Sequence, residues 1–318
     1  MIDMHYWKIR LSIRLQKIFH MNNSSSSIYK DLIALNLTSD LTSEVFNKGT
    51  RDNEDLIVYK DKLSNIIYIK DFYVGENEYL EGNYRNEKSK EKKSIPKANL
   101  GRIDDLNRRV KSFERFYIDK DIIDFGCGHG DFLIQTNNLT KNSIGIELQE
   151  DLCDGINSLG ISCFQNINQI KDGSIDSIFL FHVFEHIHEP RKLLRSLNKK
   201  LKFGGRLIIE VPHAGDFLIS FLKEESFIKF TLWSQHLILH THQSLKVFLN
   251  DSEFSDILTT GIQRYPLSNH LNWIKNKKPG GHETNLALIE NPQLAEIYES
   301  RLASINATDT LVAIATKK

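Results

Sequence analysis

Between Pro96 and the C-terminal lysines, short apolar runs alternate with stretches whose apolar residues recur every three or four positions. The first pattern fits a buried strand and the second an amphipathic helix. Read this way, the order is a helix over 103–116, a strand over 122–125, a helix over 131–137, a strand over 143–147, a helix over 151–159 and a short strand over 162–164. Residues 177–181 form an unbroken apolar run, as expected of a strand covered on both faces. Pro190 marks a helix start, Leu193, Leu194, Leu197 and Leu201 line one face, and the Gly204-Gly205 pair reads as its end. Strands at 206–211, 258–265 and 310–316 bring the number to seven, with residues about 267–308 inserted before the last as a cap. This pattern predicts an α/β class fold, a doubly wound seven-stranded Rossmann-like sheet.

The N-terminal part reads differently. Residues 1–21 have a helical pattern and 22–27 a Ser/Asn break. The β-rich runs at 56–59 and 65–69 flank Lys60-Asp-Lys62 and predict a hairpin. A mixed-charge stretch at 87–93 reads as a solvated linker. The expected organisation is therefore a small α+β extension over 1–95 and an α/β domain over 96–318.

Composition narrows the functions available. Lys+Arg and Asp+Glu are equal at 41 each, so there is no cationic excess of the kind nucleic-acid binders carry. No apolar run reaches membrane-spanning length, and the basic N-terminus lacks the apolar core and cleavage site of a signal peptide. Cys127, Cys153 and Cys163 have no CxxC spacing and fit buried thiols of a reducing compartment, which points to the cytoplasm.

The chemistry concentrates at the end of the first strand, where Asp124-Phe-Gly-Cys-Gly-His-Gly130 leads into a helix. A strand, a Gly-rich turn and a helix N-terminus bring backbone amides close to a nucleotide-like ligand. Gly126, Gly128 and Gly130 have G-x-G-x-G spacing, and Asp131 stands where a dinucleotide site wants its third glycine. Glu147 ends the next strand, 21 positions after Gly126, placed to accept hydrogen bonds from both hydroxyls of a ribose.

This glycine loop resembles motif I of the class I S-adenosylmethionine-dependent methyltransferases. The segments Asp172-Gly-Ser-Ile-Asp176, Phe184-Glu-His-Ile187 and Leu201-Lys-Phe-Gly-Gly-Arg206 are similar to those of the ubiquinone-biosynthesis and sugar methyltransferase group, with Phe203 in place of a common proline. The resemblance implies that Asp124, Gly126, Cys127 and Gly128 hold the methionine part of the cofactor, Glu147 and Leu148 the ribose, and Asn166 with the backbone near His182 the adenine. The hairpin, followed by Tyr73, Tyr79 and Tyr84, looks like the N-terminal domain of polysaccharide-type members. The zinc-ribbon cysteines of some relatives are absent, so no N-terminal zinc is expected.

Nine of the twelve histidines fall between His182 and His282. His182, His186 and His188 can cap strand ends. Alternatively, a histidine can take the proton of an acceptor hydroxyl. His213, Asp216, His236, His240 and His242 are the candidate bases. The spacing of His182, Glu185, His186 and His236 is also similar to the divalent-metal set of small-RNA 2′-O-methyltransferases, with His182 where those carry a glutamate. In the cap, Tyr265 and Trp273 among Asn and His residues either offer flat faces to a sugar or surround a buried Trp273. Pro279-Gly-Gly281 reads as a mobile loop able to close over substrate.

The reading is a methyltransferase that O-methylates a sugar or nucleotide-sugar hydroxyl in bacterial surface polysaccharide assembly, with S-adenosylmethionine as cofactor. The alternatives are another small-molecule acceptor, metal-assisted methylation of an RNA end, a nicotinamide enzyme and a non-catalytic cofactor-binding subunit.

Overall fold

The computed structural model describes residues 27–70, 72, 73, 75 and 100–318. The helix expected over 1–21, most of the break after it, Tyr79, Tyr84 and the charged stretch 87–93 lie outside the described residues. The chain begins with helix α1 (Ser27–Ala34) and strands β1 (Ser43–Lys48), β2 (Ile57–Asp61) and β3 (Ile67–Ile69). The expected hairpin is β2–β3, paired antiparallel with Val58 opposite Ile69. Its turn lies beyond Lys60. The Asp61 carboxylate accepts from the Leu63 and Ser64 amides at 2.9 and 2.8 Å, and Asn65 takes the left-handed conformation with φ +59°.

Next come α2 (Leu100–Ser112), β4 (Asp121–Phe125), α3 (Asp131–Thr136), β5 (Asn142–Ile146), α4 (Glu150–Ser158), β6 (Ser162–Phe164) and β7 (Ile175–Phe181). They are followed by α5 (Pro190–Lys200), β8 (Leu201–Pro212), α6 (Glu225–Thr231), β9 (Ile238–Leu239), α7 (His242–Asp251) and β10 (Phe254–Ile262). The chain closes with α8 (Leu267–Asn276), α9 (Pro292–Ser304) and β11 (Thr310–Lys317). The main sheet has the order β10-β11-β8-β7-β4-β5-β6, and only β11 runs against its neighbours β8 and β10. The α/β, doubly wound architecture is as expected. From β4 the chain winds outward through β5 and β6 on one side and through β7 and β8 on the other. The order therefore reverses between β4 and β7, and such a switch point opens a crevice beyond the strand C-termini.

The smaller sheet, β1-β2-β3-β9, takes its last strand from the far side of the sequence, with Tyr68 opposite Ile238. Ile28, Leu32, Ile66 and Tyr68 share one apolar core with Leu194, Leu197, Leu237 and Phe248. Residues 27–69 thus help to fix the 237–240 segment, which carries histidines.

Two expected boundaries shift. Gly204-Gly205 do not end a helix; α5 stops at Lys200 and both glycines lie inside β8. Leu201 pairs with Ile175 and Arg206 with Ser177, so the residues between them bulge outward, with Phe203 exposed. The sixth strand starts at Phe254, earlier than 258, because the buried Phe254 anchors it while a bulge between Ser255 and Leu258 interrupts the alternation. Among the described residues no helix is long and apolar enough to cross a membrane.

Candidate active site at the glycine loop

The loop after β4 follows from its glycines. Gly126, Gly128 and Gly130 have φ of +74°, +58° and +74°, where a side chain is strained. Close approach matters at two of them. A Cβ on Gly126 would lie 2.5 Å from Val183 Cγ2, and one on Gly130 2.9 Å from Ile156 Cγ1. Gly126 therefore lets the loop press against the segment after β7, across the switch point, and Gly130 lets α3 start against α4. The loop is pinned to β5, with Gly126 N donating to Ile146 O at 2.7 Å and Gly128 N to the Glu147 carboxylate at 2.8 Å. The other Glu147 oxygen accepts from Gln149 N at 3.1 Å. Leu148 beside it is exposed.

Asp124 is buried at the end of β4. Burial pushes its carboxyl up to about 7; Arg109 counters this, and Glu147 and Asp131 add to it. A concentration of carboxylates under a loop of amides suits a ligand with cationic groups and a ribose. Asn166 is exposed and its side-chain oxygen accepts from Asn168 N at 2.9 Å, capping a 3₁₀ turn.

Beyond β7, His182 takes a left-handed conformation (φ +56°) fixed by its amide's bond to Glu210 O at 2.8 Å. Its ring lies between two fully buried carboxylates, Nδ1 3.4 Å from Glu185 and Nε2 3.3 Å from Glu210. Glu210 is also gripped by Arg108 Nη1 and Nη2 at 3.0 and 2.9 Å and by Arg109 Nη2 at 2.6 Å. Although burial opposes it, His182 and the two guanidiniums hold the Glu210 carboxyl well below its ordinary value. The α2 arginines and Glu210 form a clamp that the sequence reading did not identify. Its one signal was a charge inside the apolar run of the fifth strand.

Glu185, His186 and His236 each place one ligand atom within 4.8 Å of the others. His182 is not in this group, so three of the four expected metal residues converge and the fourth stands behind Glu185. Both Glu185 oxygens and His236 Nδ1 are buried without a hydrogen-bond partner, whereas His186 Nδ1 donates to Gln235 O at 2.9 Å. Burial raises the Glu185 carboxyl, but His182, His186 and His236 beside it bring it down to about 2. Burial lowers His186 and brings His236 down to about 3, so both imidazoles are neutral at pH 7. A buried carboxylate faced by two imidazole nitrogens is a donor set that fits a divalent cation.

The candidate bases His213 and His240 lie side by side, joined by a parallel bridge. His213 Nδ1 donates to Thr308 O at 2.8 Å and burial lowers the ring to about 4. His240 is fully buried, bonded to Ser244 Oγ at 3.0 Å and stacked on Phe184, and burial lowers it to about 3. His242 packs edge-on against His213. Asp216 caps a helical turn through Leu218 N, and burial, with Asp309 adding to it, raises its carboxyl to about 8.

In the cap, Trp273 is buried against Phe227 and Phe230 rather than presented as a platform. The Pro279–Gly281 segment is bonded to α8. Asn272 Nδ2 donates to the Lys278 and Pro279 carbonyls at 2.8 and 3.0 Å, and Asn269 Oδ1 accepts from Gly280 N at 2.9 Å.

A family model described as a methyltransferase domain matches residues 96–259, more than half of the chain. A SAM-dependent methyltransferase of Archaeoglobus fulgidus is 18% identical over 67% of this chain and 94% of its own, with a TM-score of 0.48. A SAM-dependent methyltransferase of Thermotoga maritima is 14% identical over 76% and 98%, with a TM-score of 0.47. No curated protein matches the sequence. The family match, spanning the glycine loop, Glu147 and the Glu185 segment, places the chain in the methyltransferase-domain family: it is a class I S-adenosylmethionine-dependent methyltransferase.

Proposed function

We propose that the protein O-methylates a sugar hydroxyl, as in surface-polysaccharide assembly, with a divalent cation held by Glu185, His186 and His236. The observation that carries this reading is the convergence of the fully buried Glu185 carboxylate with the His186 and His236 rings, two residues beyond the Val183 that faces Gly126. A divalent cation bound there would orient a vicinal diol and lower the pKa of the reacting hydroxyl. We assign the loop amides of Gly126, Cys127 and Gly128, with Asp124, to the methionine part of the cofactor. Glu147 and Leu148 are assigned to the ribose, and Asn166 with the His182 backbone to the adenine.

Methyl transfer from a sulfonium is an in-line displacement, so the chain's task is alignment and exclusion of water. His182 touches Glu185 and Glu210 through its two ring nitrogens, and we assign it to position the Glu185 carboxylate. His213 and His240 position the wall behind it. The three thiols, free in this structure, fit a cytoplasmic enzyme.

The test is calorimetric titration with S-adenosylhomocysteine, followed by methylation assays on nucleotide-sugars and oligoribonucleotides with Mn²⁺ or chelator. We expect cofactor binding without metal, sugar methylation only with metal, and loss of Mn²⁺ binding in Glu185→Ala. Activity that survives chelation would sink the metal reading. Methylation confined to oligoribonucleotides would move the acceptor to an RNA ribose.

A further inference from the structure

The only three cysteines of the chain are far apart in its sequence, yet they meet beneath the glycine loop. Cys127 is the loop residue between Gly126 and Gly128, half-buried. Cys163 lies on β6 and Cys153 on α4, both buried. Strand β5 runs between the loop and β6, and the residue it presents there is Gly145, paired with Cys163. A Cβ on Gly145 would sit 2.8 Å from Cys127 Sγ and 2.9 Å from Cys163 Sγ, so both sulfurs border the space that this glycine leaves empty. The missing side chain opens a passage across the middle strand. The Cys163 backbone is held by Asn157, whose side chain bonds its amide at 2.8 Å and its carbonyl at 3.2 Å.

We propose that Cys127 and Cys163 are an oxidation site: a peroxide joins them as a disulfide, and the bond draws the glycine loop out of its cofactor-binding shape. The functional half of this proposal rests on the assignment of the cofactor to the loop. The roles of the two sulfurs differ. The Cys127 and Cys153 thiols hydrogen-bond the Cys163 sulfur and bring it down to about 7, making it the thiolate of the group. The hydrogen bond to Cys163 and burial raise Cys127, which stays a thiol. The Cys163 thiolate attacks the peroxide oxygen, giving a sulfenic acid and releasing hydroxide. The Cys127 sulfur then attacks the Cys163 sulfur, the S–O bond breaks and water leaves. The net change is two thiols and one hydrogen peroxide going to one disulfide and two waters.

Disulfide geometry requires Cα atoms within roughly 7 Å. The two sulfurs border the same space beside Gly145 and must come together to about 2 Å for the bond to form. Cys163 is pinned by Asn157, so it is the Cys127 side that moves. Its amide and carbonyl bonds, to Ile146 O at 3.2 Å and from Gly130 N at 2.9 Å, are the ones that set the loop's shape.

The experiment treats the full chain with hydrogen peroxide, maps non-reduced peptides by mass spectrometry, and titrates S-adenosylhomocysteine before oxidation, after it, and after dithiothreitol. We expect a Cys127–Cys163 linked pair, affinity weaker by at least about tenfold, and recovery on reduction. Preloading with S-adenosylhomocysteine should slow the cross-link, and Cys163→Ser should keep its affinity through peroxide treatment. No Cys127–Cys163 pair in the wild-type map, or a cross-linked protein with unchanged affinity, would overturn the proposal. Reduced protein that binds no S-adenosylhomocysteine would instead overturn the cofactor assignment, while the peptide map still decides the cross-link.

Discussion

At the scale of single residues, the site stores unfavourable ionisation that a cationic ligand would relieve. Asp124 shows the sign. Its carboxyl is raised to about 7 by burial, so the folded chain keeps a proton there after the unfolded chain has lost it. The stability associated with that proton is complete below pH 4 and is lost as pH rises through 7. Asp124→Asn should therefore raise the melting temperature of the ligand-free protein at pH 8 and leave it unchanged at pH 4. The gain is at most roughly 4 kcal/mol, three pKa units at 1.36 kcal/mol each. The same variant should lose S-adenosylmethionine binding, because an amide no longer balances the ligand's positive charge. A melting curve that does not move at pH 8 would contradict the burial account. Glu147 differs, since its two oxygens already accept from the Gly128 and Gln149 amides. Glu147→Ala should weaken S-adenosylhomocysteine binding by about 1–3 kcal/mol, the range for charged hydrogen bonds, measured by calorimetry.

At the scale of elements, α2 matters as much as the loop. Arg108 and Arg109 clamp Glu210 at the end of β8, and Arg264 from the cap side is ion-paired with Asp105 of α2. Glu210→Ala would leave the partly buried Arg109 guanidinium without its carboxylate and Arg108 with Asp105 alone. We expect a loss of about 2–4 kcal/mol, below the fully buried range because both arginines reach solvent; urea unfolding against Glu210→Gln measures it. This clamp also marks the limit of sequence reading. The β4 loop and Glu147 were legible because a strand, a turn and an acid lie at fixed short spacing. The convergence of Glu185 and His186 with His236 was legible only through resemblance. Arg108–Glu210, the pairing of β3 with β9, the meeting of Cys127 with Cys163 and the helices between 217 and 251 were not legible. Each depends on contacts between residues far apart in the chain, which no local periodicity encodes. Gly204-Gly205 failed for the opposite reason: a glycine pair is a stop signal locally, and sheet pairing overrode it.

At the scale of the whole molecule, buried titratable groups give a stability profile with two slopes. Burial lowers His213 and His270 to about 4, and His236 and His240 to about 3, against 6.5 when unfolded. A lowered imidazole binds its proton in the unfolded chain first, so its stabilising effect is present above pH 6.5 and is lost as pH falls toward 3–4. Asp124 and Asp216 act with the opposite sign, raised to about 7 and 8, and remove stability as pH rises through those values. Between pH 4 and 6.5 four histidines outweigh two carboxyls; above 6.5 the carboxyls still remove stability, and above 7 the lowered Cys163 thiol offsets them. The melting temperature of the ligand-free protein should therefore peak near pH 6.5, change little toward pH 8 and fall steeply toward pH 5. Mn²⁺ should raise it above pH 6, where the His186 and His236 imidazoles of the folded chain are unprotonated and can bind the ion, and should do so in the wild type but not in Glu185→Ala. A scanning-calorimetry series from pH 5 to 8, with and without Mn²⁺, reads both effects at once. A melting temperature still rising at pH 8 would mean that Asp124 and Asp216 are not buried as described, and an equal Mn²⁺ shift in the variant would remove Glu185 from the cation site.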